Sequence, residues 1–143
     1  MNIDSIQNGI VLDHITPGRS MEIYKYLHLD ALTCSVAIIK NVKSTLNGRK
    51  DIIKIDEVID LDMDVLGFID PGITVNIIKD AEIIEKFRPA LPKRLVNVLH
   101  CKNPRCITRV EAEIDQIFEL TDRETRTYRC AYCETAAKTS EKM

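Results

Sequence analysis

The chain has 143 residues, 45% hydrophobic and 29% charged, with five cysteines and a formal net charge of −2 at pH 7. Such a composition suits one globular domain or two small ones. It excludes a membrane-spanning helix, because no apolar run approaches the roughly 18 residues required, and the weak acidic balance argues against bulk nucleic-acid binding.

The opening stretch carries Asp4 and Asp13, with neither a basic lead nor a long apolar core. It is read as no secretory signal, so a cytoplasmic setting with reduced thiols is expected. Residues Ile10 to Ile15 read as a short strand that breaks at Thr16-Pro17-Gly18. Ser20 is placed to cap a short amphipathic helix through SMEIYKYLHL. SVAIIKNV, rich in β-branched residues, reads as a buried strand, and the lone Cys34 reads as a small buried hydrophobe lying in a strand. Asn47-Gly48 then signals a hairpin into KDIIKIDEV.

That strand separates into two faces by its period of two. Lys50, Ile52, Lys54 and Asp56 fall on one, and Asp51, Ile53 and Ile55 on the other, which is the better core face and is expected to take in Val58 as well. A second helix is expected from Met63 to Phe68, closed by Asp70-Pro71-Gly72, followed by strands ITVNIIK and EIIEKF. The order β-α-β-β-α-β plus one strand predicts an α+β fold, with a ferredoxin-like first domain whose helices cover one face of the sheet.

Arg88 to Pro92, with two prolines, is a natural seam. It divides an expected first domain at 1–92 from a second at 93–143. The second begins with a strand, LVNVLHC, and holds two or three more between Thr108 and Cys130. About 50 residues bury too little surface to fold unaided, and a staple is expected. Four cysteines supply it: Cys101 and Cys106 in CKNPRC, then Cys130 and Cys133 in CAYC. Paired turns presenting four thiolates build a closed tetrahedral zinc site, structural and without an open position. The second domain is therefore expected to be a small all-β unit of zinc-ribbon or rubredoxin-like type. A redox pair and a ligand role for His100 are the weaker readings.

No phosphate-binding, dinucleotide, zinc-protease or serine-hydrolase motif is present, so no enzyme is expected. Asp13-His14 reads either as a polar strand end or as part of a site. Lys50 and Lys54 read either as a solvated face or as an anion site, with Ile52 between them and Lys86 as a possible third member. A small basic excess after Lys93 includes Arg105, Arg109, Arg123, Arg126 and Arg129. It keeps one alternative open, a zinc-ribbon protein that binds nucleic acid.

Taken together, VLDHI, GRKDIIKI, TVNIIKD, RPALPKRLVNVLHCKNPRCIT and the spacing of CKNPRC to CAYC resemble the regulatory chain of aspartate carbamoyltransferase. The resemblance implies a non-catalytic allosteric subunit in pyrimidine biosynthesis. Its first domain would bind CTP and UTP as inhibitors and ATP as activator. Its second would hold one structural Zn2+ per chain through Cys101, Cys106, Cys130 and Cys133, and grip the catalytic chain. Regulatory chains would pair as homodimers, with no membrane or nucleic acid as partner. Matched position by position, the implied nucleotide contacts are Ile3, Ile6, Val11, Asp13, His14, Lys50, Ile52, Lys54, Asn76, Ile78 and Lys86. Ala81 stands where an aromatic residue can lie near the base.

Overall fold

The computed structural model describes residues 6–45 and 48–137. Ile3 and Asn47, both singled out above, and the tail after Ala137 lie outside the described residues. The chain forms two compact units, Met1–Ala90 and Leu91–Met143.

The first unit runs β1 (Gly9–Ile15), α1 (Ser20–Tyr26), β2 (Val36–Ser44), β3 (Gly48–Ile55), α2 (Met63–Ile69), β4 (Thr74–Lys79) and β5 (Glu82–Phe87). The sheet order is β2-β3-β1-β4-β5, and every neighbouring pair is antiparallel. With β5 set aside, this is the split βαβ order of a ferredoxin-like sheet. One face carries Ile10, Leu12, Ile15, Ile53, Ile55 and Val75, all 1% exposed or less. Ile23 of α1 and Leu66 and Ile69 of α2 complete that core at 0% exposure. Asp62 starts α2 by accepting the Asp64 and Val65 N–H groups at 3.1 and 3.2 Å, a side-chain cap for otherwise orphaned donors.

Several local expectations are corrected. Ser20 does not cap α1: it is the first helical residue, and its hydroxyl donates instead to buried Asp51 at 2.6 Å. Cys34 precedes β2 and is half-buried, not a strand residue. β3 stops at Ile55, where the next N–H, from Asp56, turns to the Ser35 carbonyl, so Val58 lies off the sheet at 38% exposure.

The strands also carry irregularities that strict alternation misses. Leu12 pairs with Ile53 and Ile15 with Asp51, so Asp13 and His14 share one position opposite Ile52. His14 takes φ of 58°, as the extra residue of a bulge does. Ile39 pairs with Ile52 and Val42 with Lys50, which leaves Lys40 and Asn41 (φ 60°) together opposite Asp51. In β5 the register slips between Glu85 and Ile83.

Gly9 is set by space. A Cβ there would meet the Ile55 carbonyl oxygen, and Ile6 Cγ2 at 2.8 Å, so backbone would have to move. Gly9→Ala is expected to destabilise the first unit by about 2 kcal/mol through overpacking, measured by urea unfolding.

The second unit holds β6 (Arg94–Val96), a single helical turn α3 (Ile107–Val110), β7 (Ile117–Asp122) and β8 (Thr127–Cys130), with sheet order β6-β7-β8. The sheet predominates as expected, and α3 is an addition to it. β6 is shorter than LVNVLHC suggested. Asn97 takes φ of 58° and the chain leaves the sheet to form the first cysteine turn. Leu95, Phe118 and Tyr128 make a core at 1% exposure or less, and the Tyr128 hydroxyl donates to the Pro92 carbonyl at 2.6 Å.

Candidate functional site

Two sites emerge, one in each unit. In the first, residues directly opposite one another in antiparallel strands point to the same face. Val11 faces Lys54 on one side and Asn76 on the other, and Asn76 faces Lys86. The face away from the core thus gathers Val11, Asp13, Lys50, Ile52, Lys54, Asn76, Ile78 and Lys86. His14 joins them because of the bulge; plain alternation would have sent it into the core beside Leu12. These are nine of the eleven expected positions; Ile6 is buried at 6% exposure, and Ile3 lies outside the described residues.

A cleft of about 230 Å3 is lined by Val11, Asp13, His14, Thr74, Asn76, Ile78, Ile83 and Lys86. Lys50, Ile52 and Lys54 share the sheet face without lining the cleft itself. The walls combine branched aliphatic side chains with an amide, an imidazole and an ammonium, a mixture suited to a flat ring bearing a polar or charged tail. Asn76 donates to the Val11 carbonyl at 3.2 Å, which fixes its side chain across the β1–β4 pair.

Asp13 is held from two directions. Lys50 Nζ lies 3.0 Å from Asp13 Oδ1, and the same oxygen accepts the His14 N–H at 2.7 Å. Burial pulls this carboxyl's pKa upward, but the Lys50 ammonium and the His14 N–H together take it below the usual carboxylate value. It is therefore an anion at neutral pH, and it keeps Lys50 on the sheet face. His14 Nδ1 sits 3.2 Å from the Thr74 hydroxyl, so the ring is also oriented.

Two lining residues escaped the sequence reading. Thr74 was within reach of it, since it lies two positions before Asn76 on the same alternating face. Ile83 was not, because counting back by twos from Lys86 gives Ile84, and the β5 slip brings Ile83 round instead.

In the second unit, the sulfurs of Cys101, Cys106, Cys130 and Cys133 all lie within 4.8 Å of one another. Cys101 and Cys133 are 3.5 Å apart and Cys106 and Cys130 3.7 Å, far beyond an S–S bond. Sulfurs arranged tetrahedrally at about 2.3 Å from one ion would be about 3.8 Å apart, so the cluster fits a four-thiolate metal. His100 is exposed and is not a member of the cluster.

The four sulfurs are not equivalent. The Thr108 hydroxyl, ahead of the opposing effect of burial, lowers the Cys106 pKa, and the Thr135 hydroxyl likewise lowers that of Cys133. Burial raises those of Cys101 and Cys130. Arg109 donates to the Cys101 carbonyl at 2.8 Å and Arg129 to the Glu134 carbonyl at 3.1 Å. Two of the five arginines that would form a nucleic-acid footprint thus brace the cysteine turns.

Comparison with known proteins finds two family models in tandem. Residues 1–90 match the allosteric domain of the aspartate carbamoyltransferase regulatory chain, and residues 93–143 match its metal binding domain. Among curated proteins, the aspartate carbamoyltransferase regulatory chain of Clostridium tetani is 49% identical over 142 residues, covering 99% of each chain. That of Clostridium botulinum is 49% identical over 134 residues, covering 94% of this chain and 92% of its own. That of Bifidobacterium longum is 44% identical over 138 residues, covering 96% and 99%.

Proposed function

The chain belongs to the family of aspartate carbamoyltransferase regulatory chains, and from that premise we propose how its two units divide the work. It is a non-catalytic, regulatory chain with an allosteric and a metal-binding domain. The first domain, residues 1–92, binds the nucleotides CTP, UTP and ATP on the sheet face opposite the helices. The second, residues 93–143, folds around one Zn2+ and carries the surface that meets the catalytic chain. Two regulatory chains pair through their first domains, and the assembly works in the cytoplasm, where reduced thiolates keep the metal.

The observation that carries the nucleotide reading is the cleft between β1, β4 and β5, continuous with the lysine-bearing face of β3. Ile78, Ile83 and Val11 offer an apolar wall for a base, and Asn76 and Thr74 offer hydrogen-bonding groups for a sugar. Lys50, Lys54 and Lys86 supply cationic donors for phosphates, which pair strongly with ammonium groups. Asp13 restrains Lys50 until a phosphate competes for it. Bound nucleotide changes the catalytic chain only through a difference in affinity between two quaternary states, and each nucleotide's sign follows from which state it prefers.

Removing one phosphate contact tests this. Lys86→Ala is expected to weaken CTP and ATP binding about tenfold, the effect of one lost charge-assisted hydrogen bond, with zinc content unchanged. Titration calorimetry on the full chain measures it, and unchanged affinities for Lys86→Ala and Lys54→Ala alike would overturn the site.

A further inference from the structure

The two cysteine turns differ in length yet share a detail that metal spacing does not require. The second cysteine of each is followed two residues later by a threonine, in Cys106-Ile107-Thr108 and Cys133-Glu134-Thr135. Thr108 Oγ1 lies 3.1 Å from Cys106 Sγ, and Thr135 Oγ1 lies 3.2 Å from Cys133 Sγ. A thiolate that ligates a metal has no proton to give, so the hydroxyl must be the donor in both pairs.

The main chain of each threonine reaches the other cysteine of its own turn. In the short turn, the Thr135 carbonyl accepts the Cys130 N–H at 3.0 Å. In the long turn, the gap is bridged by Gln116. Its Nε2 donates to the Thr108 carbonyl at 3.3 Å, and its Oε1 accepts the Cys101 N–H at 3.1 Å. Gln116 and Thr108 are buried at 9% and 5% exposure, so these polar groups are committed to one another and not to solvent. Each turn is thus closed by one threonine, directly where two residues separate the cysteines and through a glutamine where four do.

Four thiolates leave a dication site with two surplus negative charges in a largely buried place, which is costly unless donors share the charge. We infer that Thr108 and Thr135 are paired positioning residues for the metal: each hydroxyl carries part of one thiolate's charge while its backbone holds the turn shut. Cys133 is the half-buried sulfur of the four, so Thr135 stands at the thiolate most open to water and electrophiles. The inference rests on the reading of the four cysteines as a metal site.

The test uses the full chain loaded with zinc or with cobalt(II). Thr135→Val and Thr108→Val remove the hydroxyl and keep the carbonyl and the side-chain shape. Zinc transfer to a colorimetric chelator is expected to be about tenfold faster in each, in line with the loss of an outer partner of a ligand, and Thr→Ser should restore it. In the cobalt form, the sulfur-to-metal charge-transfer band should move to longer wavelength in the valine variants, which a purely structural defect would not cause. Thr135 is half-buried, so its variant serves should the Thr108 variant fail to fold. Release at the wild-type rate, or faster release with an unmoved band and no rescue by serine, would overturn the inference. A wild-type chain that takes up neither metal would overturn the site itself, a different result from equal behaviour of wild type and variants.

Discussion

Cys130→Ser, or removal of the metal by a strong chelator, is expected to unfold residues 91–143 of the full chain while the first unit stays folded. The reason is one of scale. The second unit's described core rests on a few large side chains, Leu95, Leu99, Phe118 and Tyr128, with the cysteines themselves. A unit this small buries a modest fraction of its surface. A structural zinc adds roughly 10–16 kcal/mol of apparent binding energy that appears as folding energy, as much as the whole net stability of an ordinary domain. Three of the sulfurs are buried, and Cys130 also ends β8, so its loss strikes the sheet as well as the site. Limited proteolysis should then leave a protected fragment ending near Ala90, and nucleotide binding by calorimetry should persist. Capture of the catalytic chain should be lost, because the surface proposed to hold it exists only in the folded second unit. Retention of that complex by a metal-free chain would break the proposed division of labour.

How much of this could be seen beforehand depended on whether the signal was local. The alternation of Lys50, Ile52 and Lys54 against Asp51, Ile53 and Ile55 reports the strand's two faces through its own residues, and Asp51, Ile53 and Ile55 are indeed at 0% exposure. The cysteine pairs are equally local, since a turn brings each pair together wherever the rest of the chain goes. The bulges are not. His14 reaches the open face because one extra residue in β1 stands opposite Ile52, and Asn41 is turned aside by a carboxylate ten positions away. Ile83 enters the cleft through a slip in β5 that no residue type announces. Ser20 carried a capping signal, but as the first helical residue it sits one position too late to cap, and its buried hydroxyl donates to Asp51. Gln116 drew no attention in the sequence, since its role needs Thr108 and Cys101 in place around it.

The same buried carboxylate sets the second large expectation: Asp51→Ala should cost the first unit about 3–4 kcal/mol, since the hydrogen bonds from Gly18, Ser20 and Asn41 lose their acceptor and each is worth about 1 kcal/mol or more. Asp51 is fully buried. Its Oδ2 accepts the Gly18 N–H at 3.0 Å and the Ser20 hydroxyl at 2.6 Å, and its Oδ1 accepts the Asn41 N–H at 2.8 Å. One side chain therefore ties the loop after β1 and the bulge of β2 to the centre of β3. Burial raises its pKa, but the donors from Ser20, Asn41 and Gly18 outweigh that and leave it below the ordinary value. A depressed folded pKa means that stability is present above the unfolded carboxylate value, near 4, and is lost as pH falls through the lower folded value. Wild type should weaken over that acidic window, and Asp51→Ala should weaken less there, having lost the linked group already. Asp51→Asn should fall between them at neutral pH, since it keeps an acceptor oxygen but presents an amide to one of the donors. Urea unfolding in the presence of chelator isolates the first unit's transition, because the second unit is then already unfolded. Asp51 adjoins Lys50 and Ile52 and packs beside the strand that turns out Asp13 and His14. Nucleotide affinity should consequently fall in the variants even under conditions where they are fully folded. Variants with wild-type stability at pH 7 would show that the bulges are held by the sheet alone.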